Sequence, residues 1–316
     1  MPTRPLGSSG VRVTELSLGT APLGNLYTEV SDESAAATVA AAWAGGIRTF
    51  DTAPHYGAGL SEIRLGAALR SYPRAAYVVS TKVGRLLEPD RVQTDTEGFA
   101  GRGGYRRIRD YTADGVRRSI EASLTRLGLD RIDIVLIHDP DDYAGQAFGQ
   151  AYPALEELRT QGCIGAIGAG MNQAAMLTRF VTDTDVDMVL VAGRYTLLDR
   201  SAGQSLLPAA RERGVSVVAA GVFNSGILAA PGPNATYDYE PASAELLARA
   251  RALEAACARF GVPLRAAAAR FPSRHPAVAS VLIGARSAAE ISDAIALWRT
   301  EIPAALWAEL DEKGMT

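Results

Sequence analysis

The chain has 316 residues, of which 47% are hydrophobic and 21% are charged, and its formal net charge is -3. These values are typical of a globular protein with a full hydrophobic core. They leave no electrostatic footprint for nucleic acid or for an anionic membrane surface, so we expect neither as a partner.

The amino terminus and the cysteines indicate the compartment. The first residues, Met1-Pro2-Thr3-Arg4-Pro5, lack the apolar core of a signal peptide. No apolar run approaches the roughly 20 residues that span a bilayer, so we expect a cytoplasmic protein. Cys163 and Cys257 lie far apart with no nearby histidine pair, which argues against a disulfide framework and against a metal site. We expect both cysteines to be small buried residues.

The amino-terminal part of the chain alternates between strand and helix patterns. Residues 11–20 predict a β-hairpin arm that leads into a first core strand. Ser31 or Asp32 can cap an alanine-rich helix, which Gly45-Gly46 ends. The next predicted elements are a strand at 48–50, a helix at 60–69 and a strand at 77–83.

Residues 84–111 carry many glycines and charges and show no clear periodicity. Loops of this length inside a compact domain are usually functional or disordered. We therefore expect this segment to be a flap over the functional site.

The rest of the chain continues the alternation. Asp114 is the predicted cap of a helix with an apolar face, and Gly128 ends that helix. The further predicted elements are strands at 132–137, 164–170, 188–191, 215–220 and 280–283, and helices at 152–160, 206–213, 242–260 and 288–298. Residues 302–313 predict a C-terminal helix or tail that could approach the functional site.

Eight strand-then-helix units in regular order predict an α/β fold, a (β/α)8 TIM barrel with an N-terminal β-hairpin and a C-terminal helix. Such a barrel commonly needs roughly 250 residues, so the length alone permits either one barrel or two smaller domains. No Pro- or Ser-rich linker divides the chain. We expect one domain over residues 1–316.

Four polar residues lie at the ends of consecutive predicted strands. Asp51 and Tyr56 follow the second strand, Lys82 is near the end of the third, and His138 ends the fourth. Each residue alone is more often structural, since Lys82 can extend to solvent and His138 can cap a helix. In a barrel, however, the four side chains would share one pocket.

These residues together suit proton transfer. A free tyrosine has a pKa of about 10, so it is a poor base near neutral pH. We expect Lys82 to lower the pKa of Tyr56, Asp51 to hold Lys82 charged, and His138 to hydrogen-bond a substrate oxygen. Four side chains arranged in this way can move a proton to or from a carbonyl or alcohol oxygen while a cofactor moves a hydride.

The motifs around these residues resemble the aldo-keto reductase family. They are Asp51-x-Ala53-x-x-Tyr56-Gly57, Ser80-Thr81-Lys82, the strand ending at His138, Leu6-Gly7-x-x-Gly10, Leu18-Gly19-Thr20 and the run at 283–290. The resemblance covers essentially the whole chain. It implies an Asp, Tyr, Lys and His tetrad and a nicotinamide cofactor bound by the barrel without a Rossmann domain. Consistently, no Gly-x-Gly-x-x-Gly follows a first strand.

The resemblance also implies a cofactor site. Asn172 would hold the nicotinamide carboxamide and Tyr195 would stack on the ring. Backbone amides of 221–228 would wrap the pyrophosphate, and 284–290 would bind the adenosine end. The implied cofactor residues are Gly19, Thr20, Asn172, Tyr195, Gly221, Val222, Phe223, Asn224, Gly226, Leu228, Gly284, Ala285, Arg286, Ser287 and Glu290.

The chain departs from the commoner family pattern at several of these positions. Met171 stands where a serine usually precedes the asparagine, and Ala192 stands where a glutamine often reaches the carboxamide. Arg194 is a candidate for a compensating or substrate contact, and a surface salt bridge is an equally good interpretation.

Glu290 bears on the choice between NAD and NADP. Many NADPH-dependent members carry an arginine four residues beyond the position of Arg286, where this chain has Glu290. A carboxylate repels a 2'-phosphate and accepts hydrogen bonds from a ribose diol, so we expect NAD. Arg286 keeps NADP open, because a guanidinium can bind a phosphate bidentately.

Three runs, at 21–26, 192–198 and 221–226, resemble family members that oxidise aldoses or pyridoxal. The resemblance implies oxidation of an aldose of the L-fucose type at C1 to the lactone. The alternatives are pyridoxal oxidation, a general NADPH-dependent aldehyde or ketone reduction, and a cofactor-sensing regulatory subunit. The segments 84–111 and 221–239 and the tail are expected to shape the substrate pocket, and a homo-oligomer is possible.

Overall fold

The computed structural model describes residues 1–90, 96–101, 104–238 and 240–316. Residues 91–95, 102 and 103 of the predicted flap, and residue 239 of the predicted pocket loop, lie outside the described residues. The strands are β1 (Thr3–Pro5), β2 (Arg12–Thr14), β3 (Leu16–Gly19), β4 (Thr49–Asp51), β5 (Val78–Val83), β6 (Arg85–Pro89), β7 (Tyr105–Arg109), β8 (Ile132–His138), β9 (Ile164–Met171), β10 (Met188–Ala192), β11 (Ser216–Ala220), β12 (Thr236–Tyr237), β13 (Glu240–Pro241) and β14 (Val278–Gly284).

Eight of these strands form a closed, parallel barrel, which confirms the predicted fold class. Around the ring they follow chain order, β3, β4, β5, β8, β9, β10, β11 and β14, and β14 pairs with β3 to close it. The parallel order places the carboxyl ends of all eight strands at the same rim, where barrel enzymes carry their active sites.

Helices cover the outside of the barrel between successive strands. They are α1 (Asp32–Ala44), α2 (Leu60–Leu69), α3 (Ala113–Leu127), α4 (Ala144–Gln146), α5 (Tyr152–Thr160), α6 (Ala174–Asp183), α7 (Leu206–Arg213), α8 (Ala244–Arg259), α9 (Leu264–Arg270), α10 (Ala288–Arg299) and α11 (Ala304–Glu312). A π-helical turn, Ala147–Ala151, joins α4 to α5, so the helical segment begins before the predicted 152. Helices α6 and α9 were not predicted individually.

The amino-terminal hairpin closes one end of the barrel. Strands β1 and β2 pair antiparallel, as predicted. Leu6 and Val13 of this hairpin are buried in a cluster with the inward-facing Leu136 and Met188. The hairpin therefore covers the end of the barrel opposite the carboxyl-terminal rim and leaves that rim free for a site.

The caps of two helices test the predicted boundaries. The Ser31 side chain accepts a hydrogen bond from the Ser34 amide at the start of α1, as expected. The predicted Asp114 cap of α3 is wrong, because the Thr112 hydroxyl accepts from the Gly115 amide at 3.0 Å and begins the helix earlier. Gly128 ends α3 in the left-handed conformation, with φ at +64°.

The described part of segment 84–111 contains two strands that its sequence did not predict. Strands β6 and β7 form an antiparallel hairpin within it, with Arg85 opposite Arg109. A bridge between Leu26 and Phe99 ties the described part of the segment to the loop after β3. Both faces of the hairpin carry charged side chains, so the apolar alternation that marks a strand is missing from its sequence.

Two further observations concern the cysteines and membranes. Cys257 is buried, as predicted, whereas Cys163 is exposed in the turn before β9, so that prediction is wrong. Within the described ranges, no helix combines the length and apolar character needed to cross a membrane.

Candidate active site

A buried ion pair lies at the carboxyl-terminal rim of the barrel. Strands β4 and β5 are hydrogen-bonded neighbours, and this pairing brings Asp51 and Lys82 together. The Lys82 Nζ donates to Asp51 Oδ2 at 2.6 Å and to the Thr52 carbonyl at 2.8 Å. The side chains of Lys82 and Asp51 are only 2% and 5% exposed. The strand ends therefore fix one cation in a nearly dry site.

Tyr56 lies on the loop between β4 and α2, directly above this ion pair. Its ring centroid is 4.7 Å from Lys82 Nζ and 5.9 Å from the centroid of the His138 ring. The turn depends on Gly57, whose φ is +62° and where an added Cβ would lie 2.3 Å from the Gly24 carbonyl oxygen. The structure thus brings all four predicted residues of the tetrad together.

Burial dominates the protonation of Tyr56. Desolvation raises the pKa of Tyr56, and the nearby positive charge and hydrogen bond of Lys82 oppose this without cancelling it. Lys82 therefore lowers the pKa of Tyr56, as predicted, but burial outweighs this contribution and the net shift is upward. Burial also disfavours the Lys82 cation, but Asp51 and Tyr56 outweigh it and raise the pKa of Lys82. Lys82 is therefore charged at neutral pH and Tyr56 is protonated.

Two neutral imidazoles face the same space. Burial, together with the Arg85 charge, lowers the pKa of His138 well below its ordinary range. The same causes lower the pKa of His55 to about 2. The two rings lie edge to face with centroids 5.7 Å apart. At neutral pH, His138 can accept or donate one hydrogen bond at the reacting oxygen without carrying charge.

Two adjoining cavities open at this rim. The substrate cavity, of about 420 Å³, has Tyr56, Lys82 and His138 in its wall. The cofactor cavity, of about 650 Å³, extends beside it. Four residues line both cavities, namely Leu26, Tyr27, Asn172 and Ala192. Tyr56, Lys82 and His138 therefore face a continuous space with room for two ligands.

The residues of the cofactor cavity fit a nicotinamide dinucleotide. Asn172 lies at its junction with the substrate cavity, where the resemblance places the carboxamide. At the middle, Gly221 has φ at +61° and an added Cβ would lie 2.9 Å from the Gly193 amide nitrogen, so the backbone itself forms the wall. A wall without side chains lets a pyrophosphate approach the backbone closely. Of the implied cofactor residues, those that line this cavity are Asn172, Gly221, Asn224, Gly284, Arg286 and Glu290.

The other implied cofactor residues do not line this cavity. Thr20 is buried and its hydroxyl donates to the Asp51 carbonyl at 2.9 Å. Gly19 ends β3, and Ser287 caps α10. The remaining residues of this set are Val222, Phe223, Gly226, Leu228 and Ala285. Val222, Leu228 and Ala285 are buried in the core.

The structure does not bring Tyr195 to either cavity. Its ring packs against Phe271, with centroids 5.2 Å apart, and lies edge-on to His275. The adjacent Thr196 hydroxyl bonds the Asn224 side chain and anchors the turn in this orientation. The predicted stacking role of Tyr195 on the nicotinamide ring therefore has no geometric support.

Arg194 forms salt bridges, which agrees with one of the two interpretations that its sequence position allowed. Its Nη1 lies 2.8 Å from Asp238 Oδ2 and 3.4 Å from Asp199 Oδ2. Asp238 lines the cofactor cavity, so Arg194 holds the loop before β13 against the rim.

Glu290 has a structural role that the sequence signalled. The Ser287 hydroxyl accepts from the Glu290 amide at 3.2 Å, and Glu290 Oε2 accepts from the Arg286 amide at 2.8 Å. Glu290 also pairs with the Arg286 guanidinium at 3.2 Å. The Ser-x-x-Glu spacing is that of a capping box, which could have been recognised. Both charged side chains nevertheless line the cofactor cavity.

Sequence reasoning missed several residues of the substrate cavity. His55 and Asp139 line it although neither was proposed for the site. Both are direct chain neighbours of predicted tetrad residues, and this adjacency was the available signal. The described residues contain no group of three or more His, Cys, Asp or Glu side chains placed to hold a metal ion.

A parallel barrel with this ion pair, phenol and imidazole, beside a cavity of about 650 Å³ whose residues fit a dinucleotide, defines a class of oxidoreductase that works without a Rossmann domain. The Aldo/keto reductase family model matches residues 15–314, and the chain belongs to this family. It is an NAD(P)-dependent oxidoreductase.

The relatives give finer detail. The chain is 45% identical to D-threo-aldose 1-dehydrogenase of Pseudomonas sp, over 96% of this chain and 95% of that protein. It is 42% identical to pyridoxal 4-dehydrogenase of Microbacterium luteolum, over 99% and 97% of the two chains. Among solved structures, the holo form of an aldo-keto reductase from Bacillus halodurans superposes with a TM-score of 0.78 at 25% identity, over 99% and 96% of the two chains.

Proposed function

We propose that the protein oxidises an aldose of the L-fucose type at C1 to the lactone, with NAD as the hydride acceptor. The observation that carries this proposal is the 45% identity to a D-threo-aldose 1-dehydrogenase over nearly the whole of both chains. A substrate cavity with polar groups on several sides, among them His55, His138 and Asp139, supports a hydroxylated substrate.

The tetrad residues have distinct roles in this reaction. Tyr56, as the phenolate, takes the proton of the C1 hydroxyl while the C1 hydrogen leaves with its bonding electrons, and C1 becomes the lactone carbonyl. The Lys82 cation stabilises the phenolate, and Asp51 keeps Lys82 charged and oriented. Neutral His138 hydrogen-bonds the reacting oxygen. When bound, the nicotinamide supplies the acceptor for the hydride.

The raised pKa of Tyr56 sets the pH dependence of this proposal. Oxidation needs the deprotonated phenol, and burial keeps Tyr56 protonated at neutral pH. The fraction of Tyr56 that can act as a base therefore rises with pH across the alkaline range. Oxidation should be faster at alkaline than at neutral pH.

Glu290 supports NAD over NADP. Its carboxylate lines the cofactor cavity and neutralises Arg286, the nearby cation that could hold a 2'-phosphate. A 2'-phosphate would approach a carboxylate and find the guanidinium already paired. A ribose diol, in contrast, can donate hydrogen bonds to Glu290.

The test is a comparison of initial rates of NADH and NADPH formation with L-fucose, D-arabinose and pyridoxal at alkaline pH. We expect NADH formation with the two sugars. Tyr56→Phe is the control, because it removes only the proton-accepting oxygen. Turnover of pyridoxal alone would contradict the sugar assignment, and formation of NADPH alone would contradict the cofactor assignment.

Pyridoxal oxidation is the second candidate. The 42% identity to pyridoxal 4-dehydrogenase over nearly the whole of both chains favours it. The same tetrad would remove the proton from the 4-hydroxyl of the pyridoxal hemiacetal. The rate comparison above separates the two candidates directly.

A further inference from the structure

Asp139 is a carboxylate in the wall of the substrate cavity that the tetrad does not use. It follows His138 directly, and its Oδ2 lies 3.4 Å from His138 Nε2. Arg85 Nη2 donates to the same oxygen at 2.9 Å. Arg85 is 6% exposed, whereas the Asp139 side chain remains 31% exposed and lines the cavity. A buried cation thus holds one carboxylate oxygen and leaves the group facing the substrate.

The backbone of Asp139 is strained. Its φ is +42°, in the left-handed region that non-glycine residues rarely adopt. The Tyr111 hydroxyl, bound to the carbonyls of both His138 and Asp139 at 2.6 and 2.8 Å, holds this conformation. Strain of this kind persists where the surrounding structure enforces it, and it clusters at functional sites. Here the left-handed turn places an acidic side chain beside the catalytic imidazole.

The second carboxylate oxygen is available. Within the described part of the chain, Asp139 Oδ1 accepts no hydrogen bond, and both polar contacts of the side chain fall on Oδ2. We propose that the Asp139 carboxylate accepts a hydrogen bond from a substrate hydroxyl on the carbon next to the reacting carbon, and so selects α-hydroxy substrates. This inference deepens the proposed function and rests on it.

The chemistry follows from the position of His138. When His138 binds the reacting oxygen, the oxygen on the adjacent carbon is about one hydrogen-bond length from that reacting oxygen. Asp139 Oδ2 is 3.4 Å from His138 Nε2 in the same cavity wall, so the carboxylate is within reach of this second oxygen. An O–H donor to a carboxylate forms a strong, charge-assisted bond. A substrate without that hydroxyl leaves the carboxylate facing an apolar group, and a site built for a hydroxyl rejects such an analogue.

Asp139→Asn is the informative variant. Asparagine tolerates the left-handed conformation, so the turn is kept. Arg85 needs an acceptor, so the amide oxygen turns toward Arg85 and the amide NH₂ faces the cavity, where a donor replaces the acceptor. Asp139→Gly is the second variant, because glycine adopts a φ of this sign without strain. Asp142→Asn, at an exposed aspartate nearby, is the matched control.

The assay compares kcat/KM for glyceraldehyde and propionaldehyde in reduction with NADH and NADPH, and for L-fucose in oxidation. The wild-type enzyme should prefer glyceraldehyde. In Asp139→Asn, kcat/KM for glyceraldehyde should fall by roughly 10- to 100-fold, the range of a hydrogen bond to a charged group. The value for propionaldehyde should fall much less, so that the ratio of kcat/KM for glyceraldehyde to that for propionaldehyde falls. Thermal unfolding checks that both variants are folded.

The outcomes distinguish this inference from the proposed function. An equal loss on both aldehydes would mean that Asp139 only positions His138 and would overturn the inference, as would a wild-type enzyme without the glyceraldehyde preference. Loss of the preference in Asp139→Asn without any wild-type oxidation of L-fucose would sustain the inference and refute the sugar assignment. If the wild-type enzyme oxidises L-fucose but the ratio of kcat/KM for glyceraldehyde to that for propionaldehyde is unchanged in both Asp139 variants, the proposed function is supported and the inference about Asp139 is refuted.

Discussion

The ion pair between Asp51 and Lys82 allows stability and catalysis to be separated by a double-mutant cycle. Both side chains are almost completely buried, and their charged atoms are 2.6 Å apart. Removing one partner leaves an uncompensated charge in a dry site, which costs about 3–5 kcal/mol. We therefore expect Asp51→Asn and Lys82→Met each to lower the free energy of unfolding by about that amount.

The double variant should recover part of this loss. With both charges gone, the remaining defects are the introduced amide at position 51 and the Thr52 carbonyl, both of which lose Lys82 as a partner. Each buried polar group without a partner costs about 1–3 kcal/mol. The double effect should thus be smaller than the sum of the two single effects.

Activity should not follow stability in this cycle. The double variant regains stability but lacks the cation beside Tyr56, so its rate of NADH formation should stay as low as that of Lys82→Met. Urea unfolding followed by circular dichroism gives the free energies, and steady-state rates at alkaline pH give the activity. Additive losses in the double variant, or recovery of turnover with stability, would refute the reasoning.

Three further predictions concern single residues. Tyr56→Phe should reduce turnover by roughly 10²–10⁴-fold, as expected for loss of a positioned general base, while NADH fluorescence titration shows unchanged cofactor binding; near-normal turnover would remove Tyr56 from the mechanism. Glu290→Gln keeps an acceptor for the Arg286 amide but frees the guanidinium, so the ratio of kcat/KM for NADP to that for NAD should rise, by roughly tenfold or more for a charged contact. Glu245→Gln, in the first turn of the Ser-capped helix α8, is its control and should leave the ratio unchanged. His55, whose folded pKa is lowered to about 2, should make the protein less stable as pH falls below the unfolded value of about 6.5, because only the unfolded chain gains the proton there. Denaturant unfolding of His55→Gln between neutral and acidic pH should show a flatter dependence than the wild type, and parallel curves would contradict this.

The sequence predicted the barrel and the convergence of the four polar side chains because both follow from the regular order of strands and helices along the chain. Buried parallel strands are continuous apolar runs, and their ends converge whatever the details of packing. Asp51, Lys82 and His138 stand at such ends, so their meeting follows from strand order alone.

The missed features depend on contacts that no local pattern encodes. The net pKa of Tyr56 is set by how completely the loops cover it, which the sequence does not state. The role of Asp139 depends on Arg85, which is 54 positions away in the chain. The turn at Tyr195 is fixed by Asn224 through Thr196, and this long-range bond directs the ring away from the cavities. The Ser-x-x-Glu spacing does indicate the capping role of Glu290, but it does not show that the same carboxylate lines the cofactor cavity.

The division of the site between strands and loops has a consequence for redesign. Asp51 and Lys82 stand on barrel strands that pair with each other, whereas Tyr27, Gly98 and Phe99 of the substrate cavity belong to connecting loops. Barrel enzymes acquire new specificities through loop variation on an unchanged frame. We expect that exchanging these loops between relatives transfers substrate preference while the positions of Asp51 and Lys82 on the barrel strands stay unchanged.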